Sequence, residues 1–214
     1  MSRVVLLTDG EPLRAEEGEL FRVETEQSLL LIEPIAPLAE LEAEADVRDL
    51  QSVEEFTSAS RRAERLAWRR TLRQIAPDAE VEYEPSGAPL LKNSPYEHIS
   101  VSHSRTSVAV ALSHARCAVD IESLDRNFER VAQRYIAPAE RALSAEAWWL
   151  AAAWCAKECA YKIVGREGVD FLCDVTLCAV DTSARTIACR VATGEEYVLR
   201  YAFVGEREIV VYCL

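Results

Sequence analysis

The stretch Trp154-Cys155-Ala156-Lys157-Glu158-Cys159-Ala160-Tyr161-Lys162 decides how this chain is read. It lies in a run from 145 to 165 that has no proline, is rich in alanine and tryptophan, and meets its first glycine at Gly165. That composition predicts one helix. On a 3.6-residue period Trp154, Glu158 and Lys162 fall at i, i+4 and i+8 and share a face, with Lys157 beside them. An acid between two lysines has an ordinary reading, a solvated ion pair worth about 0.2–0.5 kcal/mol. It also has a sharper one, the wall of an anion-binding site. The helix alone does not separate them.

The segments upstream do. Ile99 and Val101, then Val108, Val110 and Leu112, alternate with small or polar residues, predicting a hairpin around Ser102-His103-Ser104-Arg105-Thr106-Ser107. Cys117, Val119 and Ile121 alternate again, so Asp120 and Glu122 must point to the opposite face of their strand. Two carboxylates at i and i+2 stand about 7 Å apart in Cα and repel unless a cation lies between them. Asp120, Glu122 and Glu158 together make a hard oxygen donor set suited to Mg²⁺. Lysines 157 and 162 beside such an ion call for a ligand with several phosphates. The residues therefore point to Mg²⁺-dependent transfer or hydrolysis at a polyphosphate ester.

The charge distribution supports an anionic ligand despite a net charge of −12 over 214 residues. Residues 1–60 hold four basic and fifteen acidic side chains, net −11, and the remaining 20 basic and 21 acidic side chains leave residues 61–214 at −1. Within 61–73 stand six arginines against one glutamate, on a run predicted as a helix from Ser58 to Ile75. Arg62 and Arg69 on it are expected to contact the phosphates of the ligand. Nucleic acid is not expected, because no recognised module or aromatic platform accompanies the basic run. No apolar stretch approaches the roughly 18 residues of a membrane span, and Met1 onward lacks a signal-peptide pattern, so no membrane contact and a cytoplasmic location are expected. Seven cysteines, most of them in apolar patterns, fit reduced buried thiols better than a zinc site.

Further elements are expected as strands at 3–7 and 28–35, with only polar chain and an acidic turn at 9–27. A short acidic helix is expected from Pro37, a short strand at 81–83 and a Gly87-Ala88-Pro89 turn. A helix at 126–143 broken at Pro138 follows, then four antiparallel strands at 171–180, 185–192, 196–204 and 208–213.

The three segments Ser-Val-Ser-His-Ser (100–104), Ala-Val-Asp-Ile-Glu (118–122) and 154–162 resemble, in order and spacing, the signature of the 4′-phosphopantetheinyl transferases, in the larger surfactin-type group. Ala118 stands where that signature has glycine, Cys159 where it has serine or alanine, and Ala88 where it usually has a basic residue between Gly and Pro. The resemblance spans roughly residues 58–175 and implies an α+β fold of two similar halves related by a pseudo-twofold, each a small antiparallel sheet packed on helices. The halves would be residues 1–115 and 116–214, with coenzyme A in the cleft between them. It implies Mg²⁺ on Asp120, Glu122 and Glu158, phosphate contacts from Lys162 and Lys157, and nucleotide contacts from His103 and Ser102. Glu140 would be the base toward a serine of an acyl or peptidyl carrier protein, with Glu158 as an alternative. The products would be the modified carrier and 3′,5′-ADP, and the enzyme would be a monomer.

Two other readings compete. A Ser-His hydrolase is disfavoured, since Ser102 and His103 are neighbours on a strand and point to opposite faces, and no Gly-x-Ser-x-Gly elbow exists. A non-catalytic relative that keeps the fold and binds coenzyme A is the serious competitor, but it gives no reason to keep three mutually repelling carboxylates.

Overall fold

The computed structural model describes residues 4–7, 14–15, 20–84, 87–165 and 168–214. In chain order these form β1 (Val4–Leu7), β2 (Arg14–Ala15), β3 (Leu20–Glu24), β4 (Ser28–Pro34), α1 (Leu38–Glu44), α2 (Val47–Gln51), α3 (Ala59–Ile75), β5 (Glu80–Tyr83), β6 (Pro89–Lys92), β7 (His98–His103), β8 (Ser107–Ser113) and β9 (Ala118–Ser123). Then come α4 (Pro138–Arg141), α5 (Trp149–Val164), β10 (Val175–Asp181), β11 (Thr186–Val191), β12 (Glu196–Val204) and β13 (Glu208–Cys213).

The strands make two main sheets, one in the order β1-β3-β4-β8-β7 and one in the order β10-β11-β12-β13-β9, with β5 and β6 as a separate hairpin. Alternation explains the layering. On β8, Val108, Val110 and Leu112 pack under Leu66, Trp68 and Leu72 of α3. Ala109 and Ala111 face the other way and join Phe21, Val23, Leu30 and Ile32 against Val119, Ile121, Val210 and Tyr212 of the second sheet. That sheet turns Ile209, Val211, Leu199 and Tyr201 toward α5. The result is an α+β fold with four layers: helices, sheet, sheet, helix. Pairing is not wholly antiparallel, since β1 runs parallel to β3 in the first sheet, and β2 joins the second sheet parallel to β12.

Helix α5 buries ten of its sixteen residues, among them five alanines and two cysteines, small enough to let it lie close on the sheet. Its end is set by Gly165 at φ 65°, and Arg116 donates to the Ile163 carbonyl at 2.8 Å. A Cβ on Gly165 would stand 3.2 Å from that same guanidinium, so the position suits glycine twice over.

Four expectations need correction. The polar stretch at 9–27 contains β3, where Phe21 and Val23 face inward while Arg22 and Glu24 pair outside. Two inward residues were too short a pattern to stand out among acids, and residues 8–13 and 16–19 lie outside the described residues. The helix expected at 126–143 is two 3₁₀ turns, Phe128–Arg130 and Ala132–Arg134, followed by α4. Asn127 accepts from the Arg130 amide, tightening the first turn, and the Tyr135 hydroxyl donates to the Leu150 carbonyl, drawing the chain onto α5. All seven cysteines are free, but Cys173 and Cys178 are exposed.

The fourth correction concerns Arg62 and Arg69. The acidic segment and the arginine helix neutralise each other: Arg62 pairs with Glu42, Arg70 with Glu40 and Glu44, and both Arg69 and Arg73 with Asp49. Arg65 stacks over Phe56, Trp68 and Tyr83. Helices α1 and α2 lie against α3, so the nearest anions to these guanidinium groups are the protein's own. Arg62 and Arg69 hold the first sixty residues in place instead of facing a ligand. No helix among the described residues is long and apolar enough to cross a membrane.

Asp49 and Arg69 are both buried, at 4% and 9% exposure. Removing one partner of a buried pair costs about 3–5 kcal/mol, against roughly 0.5 kcal/mol or less for an exposed charge. Asp49→Ala should therefore shift urea unfolding by several kcal/mol, whereas Arg61→Ala at the exposed start of α3 should leave it almost unmoved. Equal effects would contradict the network.

Candidate functional site

The two sheets meet edge to edge. Strand β9 would present free amides to β7, and β7 supplies serines for them: the Ser100 hydroxyl accepts from the Val119 amide at 3.1 Å and Ser102 from the Ile121 amide at 3.2 Å. Ser102 then donates to Asp120 Oδ1 at 2.8 Å. From the other side, Lys162 of α5 donates to the Val119 carbonyl at 2.7 Å and to Asp120 Oδ1 at 3.0 Å, with the Val101 carbonyl at 3.5 Å. The ammonium thus bridges both sheet edges and the helix.

Asp120 is 7% exposed, and its Oδ2 is buried with no hydrogen-bond partner. Such an orphan acceptor is costly unless a cation or donor meets it. Glu122, on the same face of β9, pairs with Arg126, whose guanidinium lies 4.9 Å from the Phe128 ring and 5.1 Å from the Trp154 ring. Burial pushes the Glu122 carboxyl up to about 7; Asp120 and Glu158 add to this, while Arg126 and a hydrogen bond with Trp154 oppose it. Glu158 is raised by burial and by Asp120, against Lys162 and Arg126. Burial alone would lower Lys162, but Asp120 and then Glu158 hold it above the ordinary lysine value. Asp120 and Glu158 therefore act on Glu122, and Asp120 on Glu158, through their charge. Among the described residues no three His, Cys, Asp or Glu side chains already converge as a metal shell. Arg126 and Lys162 supply the compensating charge. A buried orphan oxygen among carboxylates that resist ionising together fits a hard divalent cation.

Other expected residues stand elsewhere. Lys157, fully buried, points away from this cleft: it pairs with Glu140 Oε1 at 2.8 Å and donates to the Val175 carbonyl at 2.8 Å and to that of Phe171. Glu140 is 4% exposed, and its carboxylate also accepts from the Ala137 and Leu177 amides, both at 2.7 Å. Their expected roles as phosphate contact and base are corrected to the two ends of a buried strut joining α4, α5 and β10. Residues 157 and 158 are adjacent on a helix and diverge by about 100°, so Lys157 turns into the core while Glu158 faces the cleft. Ser102, expected at the nucleotide, is buried on Asp120. His103, across the strand, is half-exposed with Nε2 at 3.5 Å from Glu64 of α3.

A cavity of about 280 Å³ opens beside Lys162. The Gly87-Ala88-Pro89 turn, Ile99 and Val101 of β7, and Tyr161 of α5 share its wall, so segments far apart in sequence meet at one place. Two contributors escaped the sequence reading. Arg126 lay in a run taken for plain helix, though its i+4 spacing from Glu122 was a signal. Trp154 looked like packing, and it packs on Phe128, Tyr135 and Phe171, yet its ring also lies against the Arg126 guanidinium that pairs with Glu122.

Residues 116–211 match the family model described as the 4′-phosphopantetheinyl transferase superfamily. The match covers β9, α5 and the four last strands, and therefore Asp120, Glu122, Glu158 and Lys162. No curated protein matches the chain.

Two measurements check this geometry. Lys157→Met leaves Glu140 buried without its cation and should cost about 3–5 kcal/mol, much of it recovered by adding Glu140→Leu; additive losses would break the pair assignment. For Glu122, a folded-state pKa above its ordinary 4.5 means that the folded protein binds the proton more tightly. Its contribution is present below pH 4.5 and is lost as pH rises to about 7. Without divalent ions, wild type should lose melting temperature across that window relative to Glu122→Gln. Parallel profiles would contradict the shift.

Proposed function

We propose, on the footing of the match of residues 116–211 to the 4′-phosphopantetheinyl transferase superfamily, that the protein moves the 4′-phosphopantetheine group of coenzyme A onto a serine of an acyl or peptidyl carrier protein, releasing 3′,5′-ADP. The observation that carries this reading is the convergence of Asp120 and Lys162 across the seam, with Glu122 and Glu158 electrostatically coupled to them. Asp120, Glu122 and Glu158 would hold Mg²⁺. That ion supplies charge neutralisation for a diphosphate.

The protein's own groups do the rest. Lys162 lies against Asp120 and on the wall of the cavity, where its ammonium can meet the phosphates as well as the strand carbonyls. The cavity of about 280 Å³ is smaller than the usual ligand pocket of roughly 300–1,000 Å³, so it takes a part of coenzyme A while the remainder lies along the open cleft. His103, half-exposed at the end of β7, is available to a nucleotide phosphate. The serine oxygen attacks the β-phosphorus, the bond to the α-phosphate oxygen breaks, and 3′,5′-ADP leaves. With Glu140 committed to Lys157, the serine proton falls to Glu158, the acid on the face of α5 turned to the cleft. Both walls of the cleft come from one chain, so it acts as a monomer. Its free cysteines suit the cytoplasm.

The competing reading, a non-catalytic coenzyme A binder, is favoured by one observation: Ala88 puts no cation on the Gly-x-Pro edge of the cavity. Incubation with coenzyme A, Mg²⁺ and an apo carrier protein separates the two. Transfer adds one phosphopantetheine to the carrier by mass, and Glu158→Gln should abolish that gain without changing the melting profile. Coenzyme A binding with no mass gain on any of several carriers would leave the non-catalytic reading standing.

A further inference from the structure

Glu208 at the start of β13 belongs to the second sheet but is buried against the first, at 5% exposure. Its carboxylate accepts three hydroxyl hydrogen bonds from the turn between β7 and β8: Ser104 and Thr106 on Oε1, the latter at 2.9 Å, and Ser107 on Oε2 at 2.6 Å. Ser104 is the hub of that turn. Its hydroxyl also accepts from the amides of Thr106 at 3.0 Å and Ser107 at 2.9 Å, and its own amide donates to the Ser107 carbonyl at 2.9 Å.

A buried carboxylate accepts such bonds more strongly than a neutral oxygen does, and several acting together fix a turn more firmly than any one of them. The turn so fixed is the continuation of the strand end that carries Ser102 and His103. Ser102 in turn sets Asp120 through a 2.8 Å hydrogen bond. Glu208 also stands opposite Ser123 on the β13–β9 ladder, one step from the Ile209–Glu122 pair, so the clamp ties the turn to the strand that carries the cleft carboxylates.

We propose that Glu208 is a positioning residue for the coenzyme A site: it clamps the β7–β8 turn of one sheet onto β13 of the other and thereby sets where His103 and Ser102 stand relative to Asp120. This rests on the transferase reading above. Nothing in the signature segments includes Glu208, which follows them by more than forty positions.

The chemistry of the clamp defines its test. In Glu208→Gln an amide oxygen still accepts, and a hydroxyl can rotate to accept from the amide NH₂, so the turn keeps its anchor. In Glu208→Ala the hydroxyls lose it. Displacing binding groups by a fraction of an ångström commonly costs about tenfold or more. Glu208→Ala should raise the KM for coenzyme A roughly tenfold with kcat changed less than about threefold, and Glu208→Gln should restore KM to within about threefold of wild type. Should the alanine variant not fold, Thr106→Val and Ser107→Ala each remove one bond and should raise KM by smaller steps. Calorimetric titration with coenzyme A gives the same ordering without turnover. A fall in melting temperature with unchanged KM, or a loss confined to kcat, would overturn the proposal. Wild type that neither binds nor uses coenzyme A would instead overturn the transferase reading.

Discussion

Strand β9 has to satisfy two neighbours at once, and most of the site follows from that constraint. With side chains alternating, Val119 and Ile121 go into the core between the sheets, while Ala118, Asp120 and Glu122 turn to the side where α5 lies. Carboxylates on that side are tolerable only because cations reach them. Lys162 comes from α5, and Arg126 comes from the chain just after β9. The strand edge is no freer: its amides are taken by Ser100 and Ser102, and its Val119 carbonyl by Lys162. A fold that buries β9, the edge strand of the second sheet, between the first sheet and α5 therefore brings its acids, a lysine and a serine pair to one seam.

Two buried ion pairs of like composition play different parts here, and surroundings make the difference. Lys157–Glu140 is closed: both side chains are buried, and backbone amides and carbonyls fill their remaining positions. Lys162–Asp120 is open on one side, with an orphan oxygen on the acid and a cavity beside the lysine. A closed pair stabilises only the arrangement it already has. An open one leaves electrostatic demand unmet, and that is what a charged ligand can answer.

Much of this was legible in the chain. Alternation at 99–121 gave the hairpin, the face of Asp120 and Glu122, and the strand that carries them. The alanine-rich run gave α5 and its end at Gly165, though the helix begins at Trp149, four residues into the run. What sequence could not weigh was competition between partners. Six arginines look like a phosphate site until α1 and α2 fold onto α3 with their acids, a contact between elements that no local pattern encodes. Glu140 and Lys157 look functional for the same reason, since burial, not residue type, removes them from solvent. Arg126 was hidden because Asn127 and Tyr135 pull an apparently helical run into tight turns.

The neutralised arginine helix changes where a polyphosphate can find charge. With Arg62, Arg69, Arg70 and Arg73 paired within the first half, and Ala88 bringing no charge to the cavity edge, the cationic groups near the seam among the described residues include Lys162, Arg126 and Arg116, whose guanidinium stands against Gly165 on the cavity wall. Two of these already compensate carboxylates. A ligand bringing more negative charge would overload them unless it arrived with its own counter-ion. The orphaned Asp120 oxygen and the raised Glu122 and Glu158 carboxyls are where such an ion gains most. On the proposed transferase reading, metal and phosphate binding at this seam would be thermodynamically linked, each lowering the electrostatic cost of the other, and coenzyme A affinity should depend on the divalent ion more steeply than on the arginines of α3.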